Sequence, residues 1–417
     1  MLSQSSHLIA KANWDIFMIY TTKIEQQTQV LFLVALSLAV FGSVYRFTVW
    51  PGASFAKYIA LCGLFLVFFR FLAVLFSMPI KSALIILLIS PLILYISAKV
   101  HEHEYLLFLF IFCVSAWNVD IRTIVKIFFW INLILLVVTV LASICGIIQN
   151  KLFTRDEFDV VEAVNTQKII SRYSFGYNYP TDFAAYFTYL NLMWWYLRRG
   201  VLRWMDYIPL FFSIWFVGHY CNARTEVLIM LLIFFASLYY RLRVVKVTSL
   251  SWIERQYFTF SIPLMAALML LFEYQYMNST NEFYQYLDIV LSGRLHYVEN
   301  AIIKKGIPWF GQYYVQHGAE SKVAYNYIDC QYMIWLIIYG IITFVLLLFV
   351  YILICRKSVQ SKEYHIAIIL SILAIQNLIF PSLGLIKYNP FFMALFANVY
   401  SHTEEKIKAR LVYAKIN

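Results

Sequence analysis

The run VLFLVALSLAVFGSVYRFTV, Val30 to Val49, carries a single charge, Arg46, along its whole length. As a helix rising about 1.5 Å per residue it reaches about 30 Å, the thickness of a bilayer's hydrocarbon core. Stretches of this kind recur through all 417 residues. The chain is 62% hydrophobic and only 13% charged, too little polar material to cover a surface in water. Aromatic residues, 19% of the total, gather at the ends of the apolar runs, as in the belts that mark membrane interfaces. The expected fold class is an all-α polytopic membrane protein.

Reading the apolar runs gives about twelve spans: 29–49, 55–76, 80–98, 104–119, 122–147, 181–198, 204–220, 225–242, 256–276, 332–354, 364–383 and 388–401. Residues 1–28 form a mixed polar segment without the order of a cleavable signal peptide, so the first span is expected to be retained. Residues 29–401 read as one integral-membrane domain with long polar loops at 149–180 and 277–331, the larger just before the tenth span. Residues 402–417 are a basic tail.

Arginine and lysine counts in short loops set orientation. Arg198, Arg199 and Arg203 share one loop; Arg241, Arg243, Lys246 and Arg255 another; Arg356, Lys357 and Lys362 a third; Lys406, Lys408, Arg410 and Lys415 lie in the tail. With twelve spans all four fall on one side, the cytoplasmic one, which puts both termini inside and both long loops outside the cytoplasmic membrane. The formal charge of +11 is therefore topological, and with no basic stripe on a polar surface, nucleic acid is not an expected partner. The six cysteines show no metal spacing or disulfide framework, though a bridge between Cys221 and Cys330 stays open.

Three arginines stand near span ends on the outer face. Arg172 lies in Arg172-Tyr173-Ser174-Phe175-Gly176-Tyr177-Asn178-Tyr179-Pro180, Arg224 in Asn222-Ala223-Arg224-Thr225, and Arg294 after Ser292-Gly293. Guanidinium groups hold phosphate through paired, charge-assisted hydrogen bonds, which suits a diphosphate attached to lipid. The plainer reading has each arginine snorkelling to headgroups or paired with Glu226 or Glu299. His317 and Asp329, toward the far end of the large loop, are candidate general bases; Asp329 would also serve as a helix cap.

His101-Glu102-His103-Glu104 has no further ligand in view, so no metal site or cofactor is assigned. There is no Asp-x-Asp, Walker loop or Gly-x-Ser-x-Gly, which leaves nucleotide-driven transport and nucleotide-sugar chemistry without support. Charges within the spans are few, Arg70, Asp206 and Glu273 near span ends, which argues against an ion-coupled transporter.

The order of these motifs, continued by Pro308-Trp309-Phe310-Gly311 and by Asp329-Cys330-Gln331-Tyr332 with Gly340 beyond, resembles the Wzy-type polysaccharide polymerases and the related O-antigen ligases. The resemblance covers residues 172–340. It implies a GT-C-like helical fold and a metal-independent membrane glycosyltransferase acting at the outer face of a bacterial cytoplasmic membrane. Its substrates would be undecaprenyl-diphosphate-linked oligosaccharides, and its partners membrane lipid, a chain-length regulator and a flippase of the same pathway. Arg172, Arg224 and Arg294 would bind the lipid diphosphate or growing glycan, with His317 or Asp329 as base. Cys330 stands where the family's motif has an asparagine-like residue. A flippase or transporter of the same lipid-linked substrate, and a ligase-type glycan transferase, are the alternative functions.

Overall fold

The computed structural model describes residues 25–100, 105–159, 164–245, 250–318 and 326–399, with side chains outside 155–169. The His101–Glu104 cluster, Lys246 and the basic tail lie outside the described residues, as does most of the N-terminal segment.

Apolar periodicity is weak because many helices are apolar all round, and such helices settle only where lipid replaces water. In order they are α1 Glu25–Tyr45, α2 Ala56–Ser77, α3 Ile80–Val100, α4 Tyr105–Ser115 and α5 Ile121–Ile144. After a β-hairpin come α6 Pro180–Leu197, α7 Tyr207–Phe216, α8 Arg224–Tyr239 and α9 Trp252–Asn278. The large loop holds α10 Glu282–Val290 and α11 Arg294–Lys305; α12 Ile341–Gln360 and α13 Tyr364–Gln376 complete the set. On α2 and α3, Phe76 is 91% and Leu88 81% exposed, an outward apolar face of the kind that a bilayer covers. Inward, α1 and α2 meet closely: a Cβ on Gly63 would lie 2.6 Å from the Ala35 carbonyl oxygen. Small residues at that crossing let the two backbones approach, the usual way helices pack in lipid.

Seven helices among the described residues are long and apolar enough to cross a membrane, fewer than the expected spans. The shortfall has local causes. The run 104–119 gives only Tyr105–Ser115, and 204–220 divides into α7 and a π-helical turn, Val217–Cys221. The run 364–383 gives only Tyr364–Gln376, while the run 332–354 does yield a long helix, delayed to Ile341 by a π-helical turn, Ile334–Ile338, before Gly340. The stretch 388–401 differs most: its described part holds a single short 3-10 helix, Phe391–Leu395.

The wider stretch from Ile379 to Asn398 reaches both ends of the bundle. Ile379 accepts from Arg294 at one end, and Asn398 exchanges backbone hydrogen bonds with Val119 and Ile121 at the other. Residues 388–394 are buried throughout. Irregular backbone in such a setting needs partners from the protein itself. Lys357 Nζ donates to the carbonyls of Ala394, Leu395 and Ala397 at 3.0, 3.0 and 2.7 Å. The Tyr351 hydroxyl donates to Leu383 O at 2.7 Å, and the amides of Ser382 and Leu383 donate to Asn377 Oδ1.

The loop 149–180 is not simply a polar linker. Strands β1 Leu152–Asp159 and β2 Val164–Tyr173 form an antiparallel hairpin in which Phe153 pairs with Arg172. Its foot is tied to the end of α1 by Val49 N to Gly176 O at 2.9 Å and Asn178 N to Phe47 O at 3.0 Å.

Candidate functional site

One end of the bundle opens into a cavity of about 700 Å³, within the size range of small-molecule sites. Arg172, Arg224, Arg294 and Asp329 all line it, brought there from four separate segments.

Each arginine is placed by local backbone. Arg172 ends the hairpin, and its Nε donates to Cys221 O at 2.8 Å. That carbonyl is free because the π-helical turn ends there, Asn222 taking a left-handed φ of 44° before α8 begins at Arg224. Arg294 owes its position to Ser292 and Gly293, at φ 62° and 77°. This left-handed pair reverses the chain between α10 and α11, a turn that glycine makes without steric cost. Asp288 Oδ1 then accepts the amides of Leu295 and His296 at 2.8 and 3.2 Å, closing the start of α11 with Arg294 in its first turn. The guanidinium is fixed by Nη1 to Leu291 O at 2.6 Å and Nε to Ile379 O at 3.2 Å. Asp329 Oδ2 stands 3.5 Å from Arg294 Nε.

The carboxylates proposed above as arginine partners are engaged elsewhere. Glu226 is buried and accepts Gln376 Nε2 at 2.9 Å on both oxygens, and also the Thr188 hydroxyl. Glu299 stands 3.8 Å from His296. The position capping the helix after the large loop is held by Cys330, not Asp329.

His317 does not join this group. Gln316 and Gly318 line the cavity but His317 does not. Its amide donates to Asn326 Oδ1 at 2.5 Å, which pins the irregular segment beside the cavity. Cys330 is buried, and burial pushes its thiol up to about 12, so it stays protonated and unreactive. Cys221 and Cys330 are both free thiols, so the open bridge is not made. Among the described residues no group of three His, Cys, Asp or Glu side chains is arranged to hold a metal ion.

Two cavity residues were missed by sequence reasoning. Lys387 is buried and Asp182 half-buried, with Nζ and Oδ1 3.6 Å apart, and the Tyr388 hydroxyl donates to the same Oδ1 at 2.8 Å. Lys387 also sits 3.1 Å from the centroid of the Phe47 ring, a cation–π contact. The available signal was the lone lysine in Leu383-Gly384-Leu385-Ile386-Lys387, since an ionisable residue in an apolar run needs a partner. Apolar residues line the cavity too, among them Leu106 and Leu109 of α4, Ile334, Trp335 and Leu347. Tyr297 and Tyr327, two of the loop tyrosines, reach the cavity as well.

Fold and cavity together define a multi-pass helical membrane protein with a cation-lined chamber at one end. In comparisons with known proteins, no family model, no curated protein and no solved structure matches this chain.

Proposed function

We propose that the protein is a bacterial polysaccharide polymerase, transferring a growing glycan from undecaprenyl diphosphate onto a lipid-linked repeat unit at the outer face of the cytoplasmic membrane. One observation carries this reading: Arg172, Arg224 and Arg294, remote in sequence, line one cavity that apolar side chains such as Leu106, Leu109, Ile334 and Trp335 also line. A diphosphate joined to a long hydrocarbon needs that combination, cations for its head and a greasy lining for its tail. The twelve-crossing topology with cytoplasmic termini belongs to the same proposal, with the irregular segment 377–399 as the last crossing.

In the reaction the acceptor hydroxyl attacks the anomeric carbon of the growing chain. The new glycosidic bond forms as the bond to the diphosphate breaks, and undecaprenyl diphosphate leaves with the electron pair. Negative charge gathers on that leaving group, so guanidinium groups already held by Leu291, Ile379 and Cys221 stabilise it without reorganising. The hydroxyl proton passes to a base. Asp329 lines the cavity beside Arg294 and is the better placed of the two candidates.

The deciding experiment is Arg294→Ala in cells making the polymer. Long chains should vanish while single lipid-linked units persist. Normal chain length would reject the proposal, polymer of normal length stranded on undecaprenyl diphosphate would indicate a ligase, and units trapped on the cytoplasmic side would indicate a flippase.

A further inference from the structure

At the end of the bundle opposite the cavity lies a second recess, of about 530 Å³, between α9 and α12. Its charged lining is wholly cationic. Arg255 comes from the first turn of α9, Arg356 from the last part of α12, and Lys362 from the turn into α13. No acidic side chain is among the described residues that line it. The two carboxylates adjoining it in sequence are occupied elsewhere. Glu254 accepts the Tyr239 hydroxyl and the Ser251 amide, each at 2.6 Å, with Arg243 at 3.7 Å. Glu363 faces His365 Nδ1 at 3.5 Å. All three cations are solvent-exposed, and Arg255 is oriented by its Nε donating to Leu250 O at 2.9 Å.

The rest of the recess is mixed: Gln256, Thr259, Gln360 and Tyr364 are polar, and Phe260, Ile352 and Val359 form an apolar patch among them. Ile352 and Val359 lie on the same face of α12 as Arg356, at spacings of four and three residues. From α9 comes Phe260, 46% exposed one and a half turns beyond Arg255 on a helix that spans the membrane. A soluble anion would use the cations and leave this wall bare. A phospholipid presents both a phosphate and hydrocarbon a few ångströms deeper, the same order in which cations and apolar side chains occur here.

We infer that this recess is a binding site for an anionic phospholipid, its phosphate held by Arg255, Arg356 and Lys362 and its acyl chains lying along Phe260 and Ile352. Basic recesses between spanning helices suit such headgroups, and the attraction fades with salt. The site is independent of the reaction proposed for the opposite end.

Purified protein is heated in detergent with added phosphatidylglycerol, phosphatidylcholine or inorganic phosphate, and the melting temperature is followed. Phosphatidylglycerol should raise it well above phosphatidylcholine, and inorganic phosphate should leave it unchanged. In the combined variant Arg255→Gln, Arg356→Gln, Lys362→Gln the half-saturating phosphatidylglycerol concentration should rise at least tenfold. Arg203→Gln, an exposed cation in another basic turn, should leave it as it is. An equal shift in the triple variant, or in Arg356→Glu alone if the triple variant does not fold, would overturn the inference. So would a shift reproduced by inorganic phosphate, which would make the recess a site for free anions.

Discussion

One end of this molecule gathers four cations around its cavity, Arg172, Arg224, Arg294 and Lys387, and the other gathers three around its recess, yet the two hold them differently. At the cavity, Arg294 is 22% exposed and donates to two backbone carbonyls, and Arg172 donates to a third. Arg224 there is exposed, and at the opposite recess Arg255, Arg356 and Lys362 all reach into solvent, with only Arg255 among them held by a described backbone carbonyl, that of Leu250. Side chains fixed by the backbone have already given up their rotamer freedom, so a ligand's developing charge meets a prepared field. Side chains free in water must be ordered by whatever they bind, which suits loose, exchangeable recognition. The difference separates a place suited to chemistry from one suited to anchoring.

The sharpest way to break this contrast is at Arg294. Arg294→Ala should slow chain elongation by roughly 10²–10³-fold, the usual cost of losing one preorganised donor to a developing anion. Arg294→Lys should restore little, because an ammonium lacks the planar fork; full activity in the lysine variant, measured as polymer length on gels, would mean that a point charge is enough.

Next in size is the base. Asp329→Asn should reduce elongation by about a hundredfold, whereas His317→Ala should cost less than about threefold. The opposite ranking, read from the same polymerisation assay, would return the base to His317 despite its place outside the cavity lining.

A stability measurement sharpens the distinction between held and free cations within one helix. Lys357→Met strips three carbonyls of their shared donor and should lower unfolding stability by about 3 kcal/mol or more in detergent melts. The neighbouring Arg356→Gln should stay within about 0.5 kcal/mol and leave polymer length unchanged. Comparable losses for both would show that exposure does not separate the two roles.

Much of the fold was legible because lipid imposes a simple code. Long apolar runs at 29–49, 55–76, 80–98, 122–147, 225–242 and 256–276 each became a helix near the expected bounds. The basic loops 198–203, 241–255 and 356–362 share one end: Arg198 pairs with Asp206 at 2.8 Å, Arg241 reaches Leu202 O at 3.4 Å, and Tyr196 and Tyr240 both contact His365. Where the code failed, hydropathy was unchanged while backbone pairing was not. The hairpin at 152–173 has polar residues in both strands, so hydropathy does not mark strands that pair only with each other. Residues 388–399 are as apolar as a span, but Lys357 supplies hydrogen bonds there that a helix would have made for itself, as Tyr351 and Asn377 do just before them at Ser382 and Leu383.

For the site, sequence alone determined which residue types were present and on which face the arginines should emerge, because charge can leave lipid only at span ends. Only the tertiary structure decided that Arg172, Arg224, Arg294 and Asp329 share one cavity while His317 stands beside it. It alone paired Lys387 with Asp182 and turned Glu226 toward Gln376. Hydropathy records whether a residue tolerates lipid; which side chains meet is set by helix packing, turns at residues such as Ser292 and Gly293, and the hydrogen bonds that buried polar groups must find.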